Sequence, residues 1–111
     1  MAFQMNHTVK GFNYPESYWK AAQRNFNDVT KTGQVTFNGY ANAAARKADV
    51  NGNVIDQKVY DVTKEQYEEF FSEAITIGAV YEMAAAKLEG NAPAEGEEDT
   101  RVSFFDGATE V

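Results

Sequence analysis

The sequence predicts an α+β domain: a small antiparallel sheet of three or four strands with a hairpin at Asn51-Gly52 in its centre, packed against a C-terminal helical region and followed by a flexible acidic tail. Three observations point there. Apolar residues alternate with polar ones on both sides of Asn51-Gly52-Asn53, a tripeptide suited to the positive φ of a tight turn. Thr63 then opens a stretch in which Tyr67, Phe70 and Phe71 recur at helical spacing, and after Gly90 the chain turns Pro/Gly-rich and acidic.

In chain order, Phe3, Met5, His7 and Val9 alternate with Gln4, Asn6, Thr8 and Lys10, which predicts a half-buried first strand ending near Gly11. Residues 15–26 leave helix and strand open, because Lys20-Ala21-Ala22-Gln23-Arg24 favours a helix while Tyr18, Ala22 and Phe26 suit either period. Val35, Phe37, Gly39, Ala41 and Ala43 alternate cleanly, Ala43 to Ala48 softens toward a helical turn, and Val54 to Val62 reads as the return strand. Thr63 and Gln66 form a capping box, so a helix begins at about residue 64. Its apolar face runs to Gly90, and Ile75-Thr76-Ile77 with Gly78 leave a break into two helices and one long helix equally open. The expected organisation is one domain over 1–90 and a flexible acidic tail over 91–111, with a possible docking segment at 101–105.

Composition bounds the function. With 111 residues, 43% of them hydrophobic and 14% aromatic, the chain has room for one core. It has no Cys, which excludes disulfide scaffolds and thiol chemistry. No apolar run approaches the roughly 18 residues of a membrane span, and no signal-like start is visible, so a soluble protein made in the cytoplasm and without a membrane partner is expected. The net charge of −7 is uneven: residues 1–88 hold ten acidic and nine basic side chains, residues 89–111 seven acidic side chains and Arg101 alone. The domain is thus nearly neutral and the tail strongly acidic.

The catalytic inventory is thin. His7 is the only histidine. Glu65, Glu68, Glu69 and Glu73 match the solvated face of an amphipathic helix better than a cation site, and Glu95, Glu97, Glu98 and Asp99 lack the pattern of a calcium loop. No phosphate loop or nucleophile elbow is present, so no enzyme activity, cofactor, metal or catalytic residue is expected. Two binding sets stand out instead. Arg101, Val102, Phe104 and Phe105 put an aromatic pair inside the acidic tail, which suits an interface with a neighbouring subunit or docking on the chain's own domain. On the first of these readings, removal of 91–111 spares folding and weakens assembly. Tyr18, Trp19, Lys20, Arg24, Phe37, Tyr40, Arg46 and Lys47 mix aromatics with bases, as a single-stranded DNA-binding surface would. The acidic tail also admits a DNA-mimicking inhibitor, a reading that the near-neutral domain weakens.

Taken in order, the opening strand, Tyr14-Pro15-Glu16-Ser17-Tyr18-Trp19-Lys20, Val35-Thr36-Phe37-Asn38-Gly39-Tyr40-Ala41-Asn42-Ala43-Ala44-Ala45-Arg46, Lys58-Val59-Tyr60 and Ala79-Val80-Tyr81-Glu82 resemble a family of short proteins encoded among the structural genes of tailed bacteriophages. The resemblance covers roughly residues 3–88 and is one of pattern, carrying no catalytic residue. The segment between Phe70 and Ala79 and the acidic extension after Gly90 depart from it. It implies that Tyr18 to Val29 is strand, and it implies a place in the virion, in the tail, baseplate or neck. There the chain is expected to contact itself, as a homo-oligomer, and other phage structural proteins. A phage-encoded single-stranded DNA-binding protein with an acidic C-terminus is the alternative.

Overall fold

Five strands form one antiparallel sheet in the order β4-β3-β2-β1-β5. The structure, a computed structural model, describes residues 1–48 and 53–111. The strands are β1 (Phe3–Val9), β2 (Phe12–Asn27), β3 (Thr32–Tyr40), β4 (Val54–Val62) and β5 (Thr109–Glu110), and the helices are α1 (Ala43–Lys47), α2 (Lys64–Phe71) and α3 (Ile77–Ala86). The small three- or four-stranded sheet packed on a helical region is therefore corrected. The molecule is mostly sheet, with three short helices and a fifth strand drawn from the segment expected to be a flexible tail. The expected centre moves as well: β4 lies at the border of the sheet and β2 in its middle. The Asn51-Gly52 turn falls outside the described residues.

Local chemistry accounts for the connections. Lys10 and Gly11, with φ of 50° and 83°, make the two-residue turn that joins Val9 to its partner Phe12. At the next turn Asn27 Oδ1 accepts from the N–H groups of Val29 and Thr30, and Lys31 at φ 58° closes the loop with its N–H on the Asn27 carbonyl. Between these turns β2 runs sixteen residues as strand, with a register shift between Ala21 and Gln23 that absorbs the helix-prone stretch. The Ala21 N–H donates to the Tyr81 hydroxyl at 2.9 Å. The Thr63 capping box forms as expected, and the helical region does break: α2 ends at Phe71, and Thr76 Oγ1 caps α3 by accepting from Ala79.

One face of the sheet carries the core, here called the inner face. Trp19, Val35, Phe37, Tyr60 and Val62 rise from it and meet Tyr67 and Phe71 of α2, and Val80, Tyr81, Met83 and Ala84 of α3. The two helices cover only part of this face. The rest is closed by the C-terminal segment: Phe105, 3% exposed, stacks on Phe3 with ring centroids 4.5 Å apart and also contacts Trp19 and Phe37. Beyond it β5 pairs with β1, and the backbones of Ala2 and Val111 exchange two hydrogen bonds of 2.8 and 2.9 Å. Two glycines on the same face lie under aromatic rings opposite them. A Cβ on Gly39 would sit 2.8 Å from the Trp19 indole, and one on Gly33 would sit 2.6 Å from the Phe26 ring.

Because Phe105 belongs to the core, Phe105→Ala should cost about 3–5 kcal/mol in a urea denaturation, and deletion of 91–111 should give an unfolded or molten chain. A truncated chain that melts cooperatively near the full-length temperature would contradict this. Gly39→Ala should cost about 1–3 kcal/mol by driving a methyl into the indole, whereas Gly78→Ala, in α3 with open space around its Cβ, should be neutral or slightly stabilising.

Candidate functional site

The opposite, outer face of the sheet holds the largest assembly of the residues singled out by sequence. Alternation puts Tyr18 and Lys20 on the face away from Trp19, and the register sets Tyr18 beside Tyr40 and Lys20 beside Asn38. Helix α1 lies over them. Asn42 caps it by accepting from the Ala45 N–H at 2.8 Å, and Asn53 ties it down by donating to the Ala45 carbonyl at 3.0 Å. Between helix and strands lie two adjoining concavities. One, of about 390 Å³, is lined by Tyr18, Lys20, Ala43, Ala44, Arg46 and Lys47. The second, of about 470 Å³, shares Lys20 and Arg46 and reaches Asn38 and Tyr40. Among the described residues no carboxylate lies within ion-pairing distance of Lys20, Arg46 or Lys47. Their three charges therefore add into a positive field over a shallow floor.

The structure splits the basic-aromatic set. Tyr18, Lys20, Tyr40, Arg46 and Lys47 come together, with Tyr40 almost fully buried. Trp19 and Phe37 are fully buried on the inner face, and Arg24, paired in register with Val35, belongs to that side too. The C-terminal set is split in the same way. Phe105 is in the core, while Phe104 is half-buried against the rings of Trp19 and His7 at 5.1 and 5.4 Å. Val102 is exposed, and Arg101 clasps Asp99 with Nε and Nη2 at 3.0 and 2.8 Å from its two carboxylate oxygens. Those bonds hold the Asp99 carboxyl at about 2, below the usual range.

One pairing escaped the sequence altogether. His7 Nε2 lies 2.9 Å from Asp56 Oδ2, between β1 and β4, which in a flat sheet would stand roughly 14 Å apart at three strand spacings. The sheet curls at this end, and the pair closes over Trp19, whose indole is 5.2 Å from the imidazole. The nearby Ser17 hydroxyl is fully committed: it donates to the Met5 carbonyl at 2.6 Å and accepts from the Trp19 indole N–H at 3.0 Å. The His7–Asp56 pair thus acts as a clasp across the sheet.

Farther along the inner face, the ammonium groups of Lys58 and Lys87 lie 5.6 and 5.5 Å from the centre of the Tyr60 ring, and Lys58 pairs with Glu89 at 2.6 Å. Burial, with the Glu89 charge as a lesser cause, pushes the Tyr60 hydroxyl far above its ordinary pKa. That hydroxyl has no hydrogen-bond partner among the described residues. Also among the described residues, no group of three or more His, Asp or Glu side chains is placed to hold a metal ion, and no helix is long and apolar enough to cross a membrane. No protein-family model, curated protein or solved structure matches the chain.

Two outcomes follow from this geometry. Trp19 fluorescence should be blue-shifted and shielded from iodide, and an oligonucleotide should leave it unquenched; strong quenching would place the indole at a surface. Titrated by carboxyl ¹³C NMR, Asp99 should protonate near 2, and Arg101→Ala should raise it toward the ordinary value of about 4, short of it by what the backbone N–H of residue 101 contributes. Because the folded-state value is the lower one, whatever this pair adds to stability is present above about pH 4 and fades as pH falls toward 2.

Proposed function

We propose that the protein is a non-enzymatic structural subunit of a tailed-bacteriophage particle, acting in the tail, baseplate or neck by self-association and by contact with other virion proteins. The observation that carries this reading is the free edge of β4. Its nine residues pair with β3 on one side and meet no strand on the other among the described residues. An edge of this length is a ready template for another strand. One end is guarded, where Lys87 Nζ donates to the Asp61 carbonyl at 2.9 Å. Val59, 48% exposed, sits on the outer face in the middle of the strand, flanked by Gln57, hydrogen-bonded to Asn38, and Asp61, hydrogen-bonded to Gln34. Antiparallel pairing of two such edges about Val59 would extend the sheet across a two-fold axis and bring the two valines together. The placement in a phage particle draws on the sequence resemblance, whose quoted segments fall in β1, β2, β3, α1, β4 and α3.

A single-stranded DNA-binding protein is the second reading, and the cluster of Lys20, Arg46 and Lys47 beside Tyr18 favours it. It is the weaker one, since stacking of successive bases needs several open rings and Trp19 and Phe37 are fully buried.

Native mass spectrometry across a concentration series tests the first reading. The wild-type chain should form a discrete oligomer, and Val59→Lys, which sets like charges opposite each other across the edge, should weaken it by roughly tenfold or more while leaving the melting temperature unchanged. A chain that stays monomeric at every concentration, or a variant that assembles as the wild type does, would overturn it.

A further inference from the structure

Two clusters of opposite charge stand out on this chain. Lys20, Arg46 and Lys47 line the concavity on the outer face. The acidic loop begins and ends on the inner side: the Glu89 N–H donates to the Val102 carbonyl at 2.9 Å, Leu88 bridges to Ser103, and Phe104 and Phe105 then pack on Trp19. Inside the loop a turn closes with the Glu97 N–H on the Ala94 carbonyl at 3.0 Å, and Gly96 at φ 85° lets it reverse tightly. Asp99 is neutralised by Arg101. Glu95, Glu97 and Glu98 remain exposed at the tip, with no cation within pairing distance among the described residues. A cluster of three carboxylates and a cluster of three cations, neither with an ion pair among the described residues, thus occur in one chain, the first on a loop rooted at the inner face and the second on the outer face.

We propose that the outer-face concavity receives the Glu95–Glu98 loop of a second copy, with Lys20, Arg46 and Lys47 meeting the three carboxylates. The inference rests on the self-association reading and adds a contact of a different kind. Pairing of β4 edges is symmetric, the same surface on both subunits, whereas loop on face is head-to-tail, so it propagates from copy to copy and closes into a ring or runs on as a filament. The floor is suited to a charged loop: Tyr18 gives it an amphipathic wall, Ala43 and Ala44 keep it low, and the two concavities continue into each other through Lys20 and Arg46. Because the contact is electrostatic and exposed, it weakens steeply with salt.

The test uses the full chain and two charge reversals. One variant reverses the face (Lys20→Glu, Arg46→Glu, Lys47→Glu) and the other reverses the loop (Glu95→Lys, Glu97→Lys, Glu98→Lys); melting curves establish that both are folded, and Lys20→Gln with Lys47→Gln serves if the triple reversal of the face does not fold. Association is followed by light scattering and native mass spectrometry at low and high salt. Each variant alone should associate at least tenfold more weakly than the wild type at low salt, in line with like-charge juxtaposition at an interface, and an equimolar mixture of the two should recover the wild-type assembly. Failure of the mixture to recover it, or reversals that leave association unchanged, would overturn the loop-on-face contact. The edge-pairing reading would then still stand or fall by Val59→Lys alone. A wild-type chain that gains mass only with a single-stranded oligonucleotide, and loses it when the face is reversed, would assign the face to nucleic acid instead.

Discussion

Trp19 lying across Gly39 is the contact on which the rest of the structure depends. The two residues face each other in register on neighbouring strands, and only the absent Cβ lets the indole lie flat against the sheet. Once there, the ring is fully buried, and its N–H is satisfied through the Ser17 hydroxyl. It then serves as the floor for everything above it: Phe104 and Phe105 come down on its faces and edges, and His7 reaches past it to Asp56. Phe26 over Gly33 repeats the device at the other end of β2, where it supplies the surface for Tyr67 and Phe71 of α2. Aromatic rings folded over opposing glycines thus anchor both halves of the core to the longest strand.

Much of this is written in local sequence. The alternation of β1, of β3 as far as Tyr40 and of β4 and the Thr63 capping box are local signals that the structure follows, and the break near Thr76 settles a choice the sequence left open. The length of β2 is not local: Lys20 to Arg24 has helical propensity, and the strand prevails because Trp19 and Phe26 each gain a glycine opposite them, a tertiary gain that outweighs a few tenths of a kcal/mol per residue of propensity. The fifth strand was out of reach for the same reason, and for Phe105 the sequence left a neighbouring subunit and the chain's own domain both open. A polar, Pro/Gly-rich stretch gives no period from which to foresee a contact with the first strand of the chain.

The basic-aromatic set was legible by residue type and misjudged in geometry. Tyr18 and Trp19 are adjacent in a strand, so they cannot share a face, and reading 15–26 as strand already contains the split between the open Tyr18–Lys20 side and the closed Trp19–Phe37 side. The His7–Asp56 pair has no such signature, since it depends on the curl of the whole sheet. The two faces consequently differ: aromatic packing uses up the inner one and leaves the outer face and the β4 edge open.

The pairing of β5 with β1 joins residues from the two extremes of the chain, and Phe105 must settle on Phe3 and Trp19 at the same time. Contacts of such long sequence separation carry the largest loop-closure entropy and form late. The hairpins β1–β2 and β2–β3 assemble early around their short turns, whereas the indole stays uncovered until the last residues arrive. Closing the inner face therefore waits on the contacts of longest sequence separation, and until Phe105 settles on Phe3 and Trp19 the core presents an open aromatic floor.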